Sequence, residues 1–418
     1  MTNYSNSPGY PTLKVSTIKE MLIPLPPLPE QQKIAEILSA VDEAIQKTEE
    51  IIQKTQELKK GFMQQLLTRG IGHTKFKQTE IGEIPEEWAV KTIEQTCEIL
   101  DSQRIPLNEE TRKGMKGNIP YYGANGLLDY ISDHIFDDKL ILIAEDGGYF
   151  EDYQNRPIAY LVEGKCWVNN HAHVLKVREN GFVTEYIFYT LEHRNILPFI
   201  KGSTRSKLNQ KDLRSIRIPV PSSSEEQRKI AEILFTADEA IQKTDEIIQK
   251  TQELKKGLMQ QLLTRGIGHT RFKQTEVGEV PEEWEVVKLG EAAEKVRQVD
   301  PRKNPGRKFR YIDVSGISNE FFKIVDSKGY IGKDAPHRAR KPIKEHDIIF
   351  ATVRPYLKRA AIIPEDFSGQ ICSTAFTVVR CLQRIADYKF VFYYLLTGRV
   401  IGSLTVIHRG SNYPAVRD

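Results

Sequence analysis

Apolar residues recur at alternating intervals of four and three in two long stretches of the chain. The seam positions of the first stretch include Ile34, Leu38, Val41, Ile45 and Ile52. Those of the second include Ile230, Leu234, Ile241 and Ile248. Most other positions are Glu, Gln or Lys, and Lys59 interrupts the first seam. This heptad spacing predicts two long amphipathic helices of about 38 residues, or about 57 Å each.

The two stretches belong to one internal repeat. Residues 30–88 return at 226–284, and 50 of the 59 positions are identical. Two equal helices separated by a domain-sized insert are expected to pair with each other as an antiparallel coiled coil, which would relate the two inserts by a pseudo-twofold axis. The alternative is that each helix forms an independent homodimeric coiled coil.

Each repeat is followed by an insert of different sequence. Both inserts alternate apolar, β-branched runs (140–143 and 348–353) with a late helical pattern (184–193 and 388–396). Trp88 and Trp284 are expected to anchor the inserts, which do not resemble each other at a glance. The sequence therefore predicts an α+β fold, in which two globular α+β domains are joined by two long helices that form an antiparallel coiled coil.

The two ends of the chain carry parts of one pattern. Residues 7–24 align without gaps with the stretch that closes the first insert, and residues 409–418 match the beginning of that stretch and then break off. We therefore expect residues 1–22 to close the C-terminal domain, as in a circularly permuted or rearranged chain. The alternative is a truncated product with a disordered N-terminal leader. The predicted boundaries are 1–22 for the closing segment, 23–84 and 218–280 for the helix-and-linker regions, and 85–217 and 281–418 for the domains.

Composition and charge narrow the range of functions. The net charge is +4, but residues 285–418 carry 24 Lys and Arg against 14 Asp and Glu, whereas residues 89–217 carry 17 against 18. The second domain therefore has the charge expected of a protein that binds a polyanion. No apolar run reaches the roughly 18 residues of a membrane span. The four cysteines lack the spacing of disulfide or metal sites, so we expect a cytoplasmic protein.

A search for catalytic motifs is negative. The chain has no phosphate-binding loop, no dinucleotide fingerprint and no convincing nuclease or amino-methyltransferase motif. His171 and His173 share one face of a strand, which allows either a metal pair or a structural or base-contacting role. Glu145 and Asp146 precede two glycines, which allows either an acid pair or a turn. We therefore predict neither a catalytic residue nor a metal ion in this chain.

Basic runs interleaved with polar and aromatic residues suit mixed contact with phosphates and base edges. The candidates for DNA contact in the first insert are Arg104, Arg112, Lys113, Lys116, Tyr122, Asn125, His171, Lys201, Thr204, Arg205 and Lys207. The candidates in the second insert are Arg302, Arg307, Lys308, Arg310, Arg338, Arg340, Arg354, Tyr356, Lys358, Asn412 and Tyr413. The alternative for any one run is a solvated surface.

Several segments carry a family resemblance. The lead-in to the long helix at 23–38, which is repeated at 218–234, and segments 119–126, 167–173, 350–357 and 410–414 resemble the specificity (S) subunit of type I restriction-modification systems. The resemblance covers essentially the whole chain. The chain departs from the usual order of domain, helix, domain and helix because it begins within the tail of a domain.

The resemblance implies a function and a set of partners. Each target recognition domain would read one half of a bipartite site in double-stranded DNA, and the helix pair would set the spacer and dock two methyltransferase (modification) subunits. Restriction/translocase subunits would join the full complex. The subunit itself would have no active site or cofactor, and S-adenosylmethionine, ATP and Mg would belong to its partners. A rearranged silent or half-competent subunit, a structural coiled-coil adaptor and a modification enzyme remain as alternatives.

Overall fold

The computed structural model of the chain describes residues 18–202 and 206–410, with side chains up to Leu404. The chain divides into two compact units. The central unit comprises residues 49–246, and the terminal unit combines residues 1–48 with 247–418. Each unit is described by itself below.

Two helices are much longer than the others. The helices are α1 (Leu28–Arg69), α2 (Ile93–Thr96), α3 (Glu109–Gly114), α4 (Thr184–Glu192), α5 (Gln210–Ser215), α6 (Ser224–Leu262), α7 (Tyr388–Leu395) and α8 (Gly398–Gly410). The long helices α1 and α6 contain 42 and 39 residues, close to the predicted length. Among residues 18–202 and 206–410, none of the helices combines the length and apolarity that a bilayer crossing requires.

The strands follow the predicted α+β pattern. In the N-terminal half they are β1 (Leu22–Leu25), β2 (Phe76–Thr79), β3 (Gly82–Pro85), β4 (Ala89–Thr92), β5 (Cys97–Ile99), β6 (Lys116–Gly123), β7 (Gly126–Ile131), β8 (Phe136–Ala144), β9 (Ala159–Val168), β10 (Ala172–Val177), β11 (Ile200–Lys201), β12 (Lys207–Leu208) and β13 (Arg217–Val220). In the C-terminal half they are β14 (Phe272–Thr275), β15 (Gly278–Pro281), β16 (Glu285–Lys288), β17 (Ala293–Glu294), β18 (Lys308–Ile312), β19 (Lys328–Ile331), β20 (Ala339–Pro342), β21 (Ile348–Ala351), β22 (Ala360–Ile362), β23 (Ile371–Ser373) and β24 (Phe376–Cys381).

A six-stranded sheet forms the centre of the central unit. Its order is β5-β10-β8-β9-β6-β7, and β6 and β9 are its parallel pair. The apolar run of β8 is fully buried because both of its neighbours are strands and α4 packs on the sheet. This places the loops that follow β8 and precede β10 at the same end of the sheet, since β8 and β10 are antiparallel.

The terminal unit repeats this topology in two four-stranded sheets, β17-β24-β21-β22 and β19-β18-β23-β20. Strands β17, β24 and β21 take the places of β5, β10 and β8, while β22 and β23 together replace β9. Strand β18 is parallel to β23, as β6 is parallel to β9. The two inserts therefore share a topology that their sequences do not reveal, because strand pairing depends on the pattern of burial rather than on residue identity.

The predicted seam positions of the long helices are fully buried near the helix starts and half-buried at most positions farther along. Ile34, Leu38, Ile230 and Leu234 are fully buried, Ile248 is 7% exposed, and Val41, Ile45, Ile52 and Ile241 are half-buried. In each unit the core contains the start of one long helix and the end of the other. Leu66 shares the central core with Ile230 and Leu234, whereas Leu262 shares the terminal core with Ile34 and Leu38.

Each unit is closed by a two-stranded antiparallel ladder. Strand β13 pairs with β4 in the central unit, and β1 pairs with β16 in the terminal unit. Leu213 and Ile18, which precede these ladders at equivalent positions, are both fully buried. The backbone N–H of Leu289 also donates to the carbonyl of Met21 at 2.8 Å. Residues 18–25 thus pack in the terminal unit in the same way as 213–220 pack in the central one.

Candidate nucleic-acid interface

The loop that follows β8 gathers four of the predicted contact residues. This central loop comprises residues 145–149. Asn125 Nδ2 donates to the carbonyl of Gly147 at 3.1 Å, and His171 Nδ1 lies 2.8 Å from Asp146 Oδ1. Lys207 Nζ lies 2.9 Å from Glu145 Oε1. Arg104 is also bound to this loop, so the tertiary structure joins residues from four separate runs of the sequence.

A buried charge cluster lies beneath the central loop. His173 is 1% exposed, and its Nε2 donates to the carbonyl of Leu208 at 2.8 Å, while Nδ1 lies 2.6 Å from Asp101 Oδ2. Arg104 donates to Glu145 Oε2 at 2.7 Å. Burial raises the pKa of both carboxyls, but hydrogen bonds from His173 to Asp101, and from Lys207 and Arg104 to Glu145, leave each pKa lowered.

The cluster has the residue types of a metal site without its charge balance. Ligand atoms of Asp101, Glu145 and His173 lie within 4.8 Å of one another. Arg104 and Lys207 already bind both oxygens of Glu145, and a dication here would face two neighbouring cations. We therefore interpret these carboxylates as partners of basic side chains. Between the two histidines left open by the sequence, His173 is an internal residue and His171 faces the surface with 40% of its side chain exposed.

The other predicted residues of the central unit differ in exposure. The side chain of Arg104 is 12% exposed, so this residue supports the loop from within. Arg112 is half-buried, donates to the carbonyl of Leu107 and lies over the ring of Tyr121. Tyr122 is half-buried in the sheet. Exposed candidates are Lys113, Lys116, Lys201 and Lys207, of which Lys113 pairs with Glu109 and Lys201 with Asp212.

The terminal unit has an equivalent loop after β21. This terminal loop comprises residues 352–358. The N–H of Thr352 donates to the carbonyl of Ala375 at 2.8 Å, just as the N–H of Glu145 donates to that of His171 at 2.8 Å. The loop carries Arg354, Tyr356 and Lys358, and the carbonyl of Arg338 accepts from Thr374 beside it. Four predicted contact residues of this unit therefore meet at the equivalent end of its sheet.

The remaining candidates of the terminal unit form two further groups. Arg302 and Arg340 share Asp300, and their hydrogen bonds, Arg340's first, hold the pKa of that carboxyl well below its usual range. Arg307, Lys308 and Arg310 lie where β18 begins, and Lys308 and Arg310 line a cavity of about 590 Å³ with Phe309 and Tyr330. Thr204, Arg205, Asn412 and Tyr413 lie outside the described residues.

Sequence reasoning missed a repeated glutamate clasp. In the central unit, Glu226 Oε1 accepts from the N–H of Ile71 at 3.0 Å and lies 2.8 Å from His73 Nε2, while Oε2 accepts from Trp88 Nε1 at 3.1 Å. Gly70 makes room for this contact, because its φ is +64° and a Cβ there would lie 2.5 Å from Glu226 Oε1.

The terminal unit contains the same clasp. Glu30 accepts from Ile267, His269 and Trp284 at 2.9, 2.9 and 3.0 Å. Each clasp ties the first turn of one long helix to the segment that follows the other. In the sequence, these glutamates look like any other acidic residue in a first turn; only the repetition of Glu, His and Trp together could have indicated them.

The interrupted seam position also has a structural partner in each unit. Lys59 Nζ lies 2.6 Å from Asp238 Oδ1 and 3.0 Å from Glu192 Oε2, and burial raises the pKa of Glu192 despite the charge of Lys59. The repeat equivalent, Lys255, pairs with Asp42 at 2.5 Å. Lys59 is buried and Lys255 half-buried, and both are members of ion pairs rather than defects in the seam.

Each long helix also exposes a pair of apolar residues outside the seam. Ile51 and Leu58 on α1 are both 55% exposed, and their repeat equivalents Ile247 and Leu254 on α6 are 55% and 57% exposed. The seven-residue spacing places both members of each pair on one face of the helix. The repeat therefore presents the same exposed apolar pair on both long helices.

Comparisons with known proteins agree with the sequence resemblance. The family model for the type I restriction modification DNA specificity domain matches residues 1–59 and 85–253. The putative type I restriction enzyme specificity subunit S.HindORF215P of Haemophilus influenzae is 36% identical over 148 residues, which are 35% of this chain and 36% of that protein. The putative MjaX specificity subunit of Methanocaldococcus jannaschii is 29% identical over 264 residues, 60% of this chain and 61% of that protein. The chain thus spans about one third to three fifths of these relatives.

Solved structures give a partial match. The HsdS subunit from Thermoanaerobacter tengcongensis is 48% identical over 25% of this chain and 27% of its own, with a TM-score of 0.25. The S subunit from M. genitalium is 18% identical over 55% of this chain and 59% of its own, with a TM-score of 0.42.

Proposed function

Because the chain belongs to the family defined by the type I restriction modification DNA specificity domain, we propose that it is a non-catalytic specificity subunit in which each unit reads one half of a bipartite DNA site. One observation carries this proposal. In both units the strands pair in the same way, and predicted contact residues meet at the equivalent loop, after β8 in the central unit and after β21 in the terminal unit. Two units that share a fold but carry different residues in this loop would recognise two different half-sites.

The long helices are proposed to pair as an antiparallel coiled coil and to set the spacer between the half-sites. A helix of 42 residues is about 63 Å long at 1.5 Å per residue. The two glutamate clasps support antiparallel pairing, since each binds the start of one helix to the segment after the other. In such a pairing, helix length would fix the distance between the base pairs that the two recognition domains read.

The duplicated apolar pairs are proposed to dock two methyltransferase subunits. Ile51 with Leu58, and Ile247 with Leu254, present the same chemistry twice, as two identical partners require. Restriction/translocase subunits would join through these partners, and S-adenosylmethionine, ATP and Mg would be bound there. The complex would act in the cytoplasm, where a bacterial or archaeal chromosome is reached without crossing a membrane.

The segment 1–22 is proposed to close the terminal unit, as the predicted domain boundaries require. The pairing of β1 with β16 and the buried Ile18 support this assignment, because the central unit uses β13, β4 and Leu213 in the same way.

The test is a duplex selection followed by methylation mapping. The full chain is incubated with duplexes that carry a randomised centre, and the retained duplexes are sequenced. We expect the retained duplexes to share two short half-sites separated by a spacer of fixed length. The chain is then co-purified with a methyltransferase subunit from its own source, and adenine methylation is mapped on genomic DNA; the same bipartite motif should be modified. Retention without any enriched motif would refute a specificity function and would favour the structural adaptor.

A further inference from the structure

The terminal loop holds two basic residues in a backbone conformation that L-amino acids rarely adopt. Arg354 has φ +50° and ψ +60°, and Lys358 has φ +51° and ψ +34°. In the central unit, Gly147 occupies the position equivalent to Arg354, with φ +67°. Glycine adopts this conformation without strain, whereas an arginine does not. An arginine therefore stands at a position where the fold alone would favour glycine.

The surrounding structure holds the terminal loop firmly. Thr352 Oγ1 donates to the carbonyl of Ala375 at 2.8 Å, in addition to the backbone bond between the same residues. Behind the loop, the guanidinium of Arg359 donates to the carbonyls of Val314 and Ile317, both at 2.9 Å. A strained residue persists when its surroundings determine its conformation, and such residues concentrate at binding sites. The loop is thus organised before any ligand arrives.

The chemistry of the terminal loop differs from that of its central counterpart. Residues 351–361 contain three basic residues and no acid, and Arg354 and Tyr356 are exposed. The central loop instead contains Glu145 and Asp146, and its cations come from other segments. An arginine at a rigid, exposed turn suits bidentate pairing with guanine, which is the commonest specific contact in the major groove.

We propose that Arg354 is a specificity-determining residue that reads a guanine in the half-site bound by the terminal unit. The inference rests on the proposed function and deepens it, because it assigns one side chain to one class of base. Loss of a bidentate pair to guanine is expected to weaken binding about 10- to 100-fold.

The experiment compares the variant Arg354→Gly with the wild-type chain in the duplex selection. Glycine removes the guanidinium but relieves the backbone, so the melting temperature should stay equal or rise. The enriched motif should become degenerate at one or two positions of one half-site, while the other half-site and the spacer stay unchanged. Arg271→Ala is the matched control, since Arg271 is an exposed base of the same unit that pairs with Glu282 and is not among the predicted DNA contacts; it should keep the full motif.

Replacing the assigned guanine in the duplex provides the second arm. The replacement should weaken the wild-type chain about 10- to 100-fold but leave Arg354→Gly unaffected, because the contact is already absent. An unchanged motif, or equal sensitivity of both chains to the replacement, would overturn the assignment of Arg354. Equal weakening on all duplexes with the motif intact would also overturn it, in favour of a phosphate contact. A wild-type chain that enriches no motif would refute the proposed function itself, so the two failures are distinguishable.

Discussion

Removal of the Glu226 carboxylate should destabilise the central unit far more than its place near a helix end suggests. In Glu226→Ala, the indole N–H of Trp88 and the Nε2 of His73 lose their acceptor. Trp88 is 1% exposed and the His73 side chain 15% exposed, so water cannot fully replace the carboxylate. Each buried donor left unsatisfied costs about 1–3 kcal/mol. The exposed N–H of Ile71 adds little, and the expected loss is about 3 kcal/mol.

The adjacent residue offers a matched control. Glu225 lies one position away in the same turn, its side chain is 73% exposed, and it pairs with Lys229 at 2.8 Å. An exposed ion pair of this type contributes little to stability, so Glu225→Ala should unfold close to the wild-type chain. Glu226→Gln should fall between the two alanine variants, because an amide keeps one acceptor but directs its NH2 group at another donor.

Urea unfolding of the full chain, followed by tryptophan fluorescence, measures these differences. Two of the three tryptophans, Trp88 and Trp167, lie in the central unit. A loss of about 3 kcal/mol corresponds to a fall in melting temperature of about 6–12 °C for a domain of this size. If Glu226→Ala and Glu225→Ala unfold within about 0.5 kcal/mol of each other, the clasp does not hold the unit together and the reasoning is wrong.

Three further perturbations test the proposals. The first is an insertion of seven residues at the middle of both long helices, which keeps the heptad register and adds about 10 Å to each helix. The selected spacer should then lengthen by about three base pairs while both half-sites stay the same. An unchanged spacer would contradict the spacing role. Ile51→Asp combined with Leu58→Asp should reduce the co-purified methyltransferase from two copies to one without lowering the melting temperature, since both side chains are 55% exposed; mass photometry measures the stoichiometry. The folded pKa values of Asp101 and Glu145 are lowered, so their stabilisation is present above the unfolded pKa values and lost as pH falls through the folded ones. Between about pH 6 and pH 3, the free energy of unfolding from urea titrations should therefore fall more for the wild-type chain than for Asp101→Asn. Equal falls in the two chains would contradict the assignment of Asp101 to the buried charge cluster.

The candidate site was only partly accessible from the sequence. The basic runs of the sequence made Arg104 and Lys207 equal candidates for DNA contact. The structure separates the two, because Arg104 is 12% exposed whereas Lys207 is 46% exposed, although both bind Glu145. Exposure depends on how distant segments pack, and a run of charges carries no information about it. The assignments at the terminal loop likewise needed the backbone angles of Arg354 before one residue could be singled out.

The sequence by itself determined the two long helices, the α+β content and the net charge of each domain. These properties follow from local periodicity and composition, which each segment carries alone. The tertiary structure alone decided the shared strand topology of two dissimilar inserts, the ladder of β1 with β16, the glutamate clasps and the convergence on the loops after β8 and β21. Each of these features depends on hydrogen bonds and burial between segments that are far apart in the chain. The stabilisation arises only when both segments come together, so neither segment's sequence shows it alone.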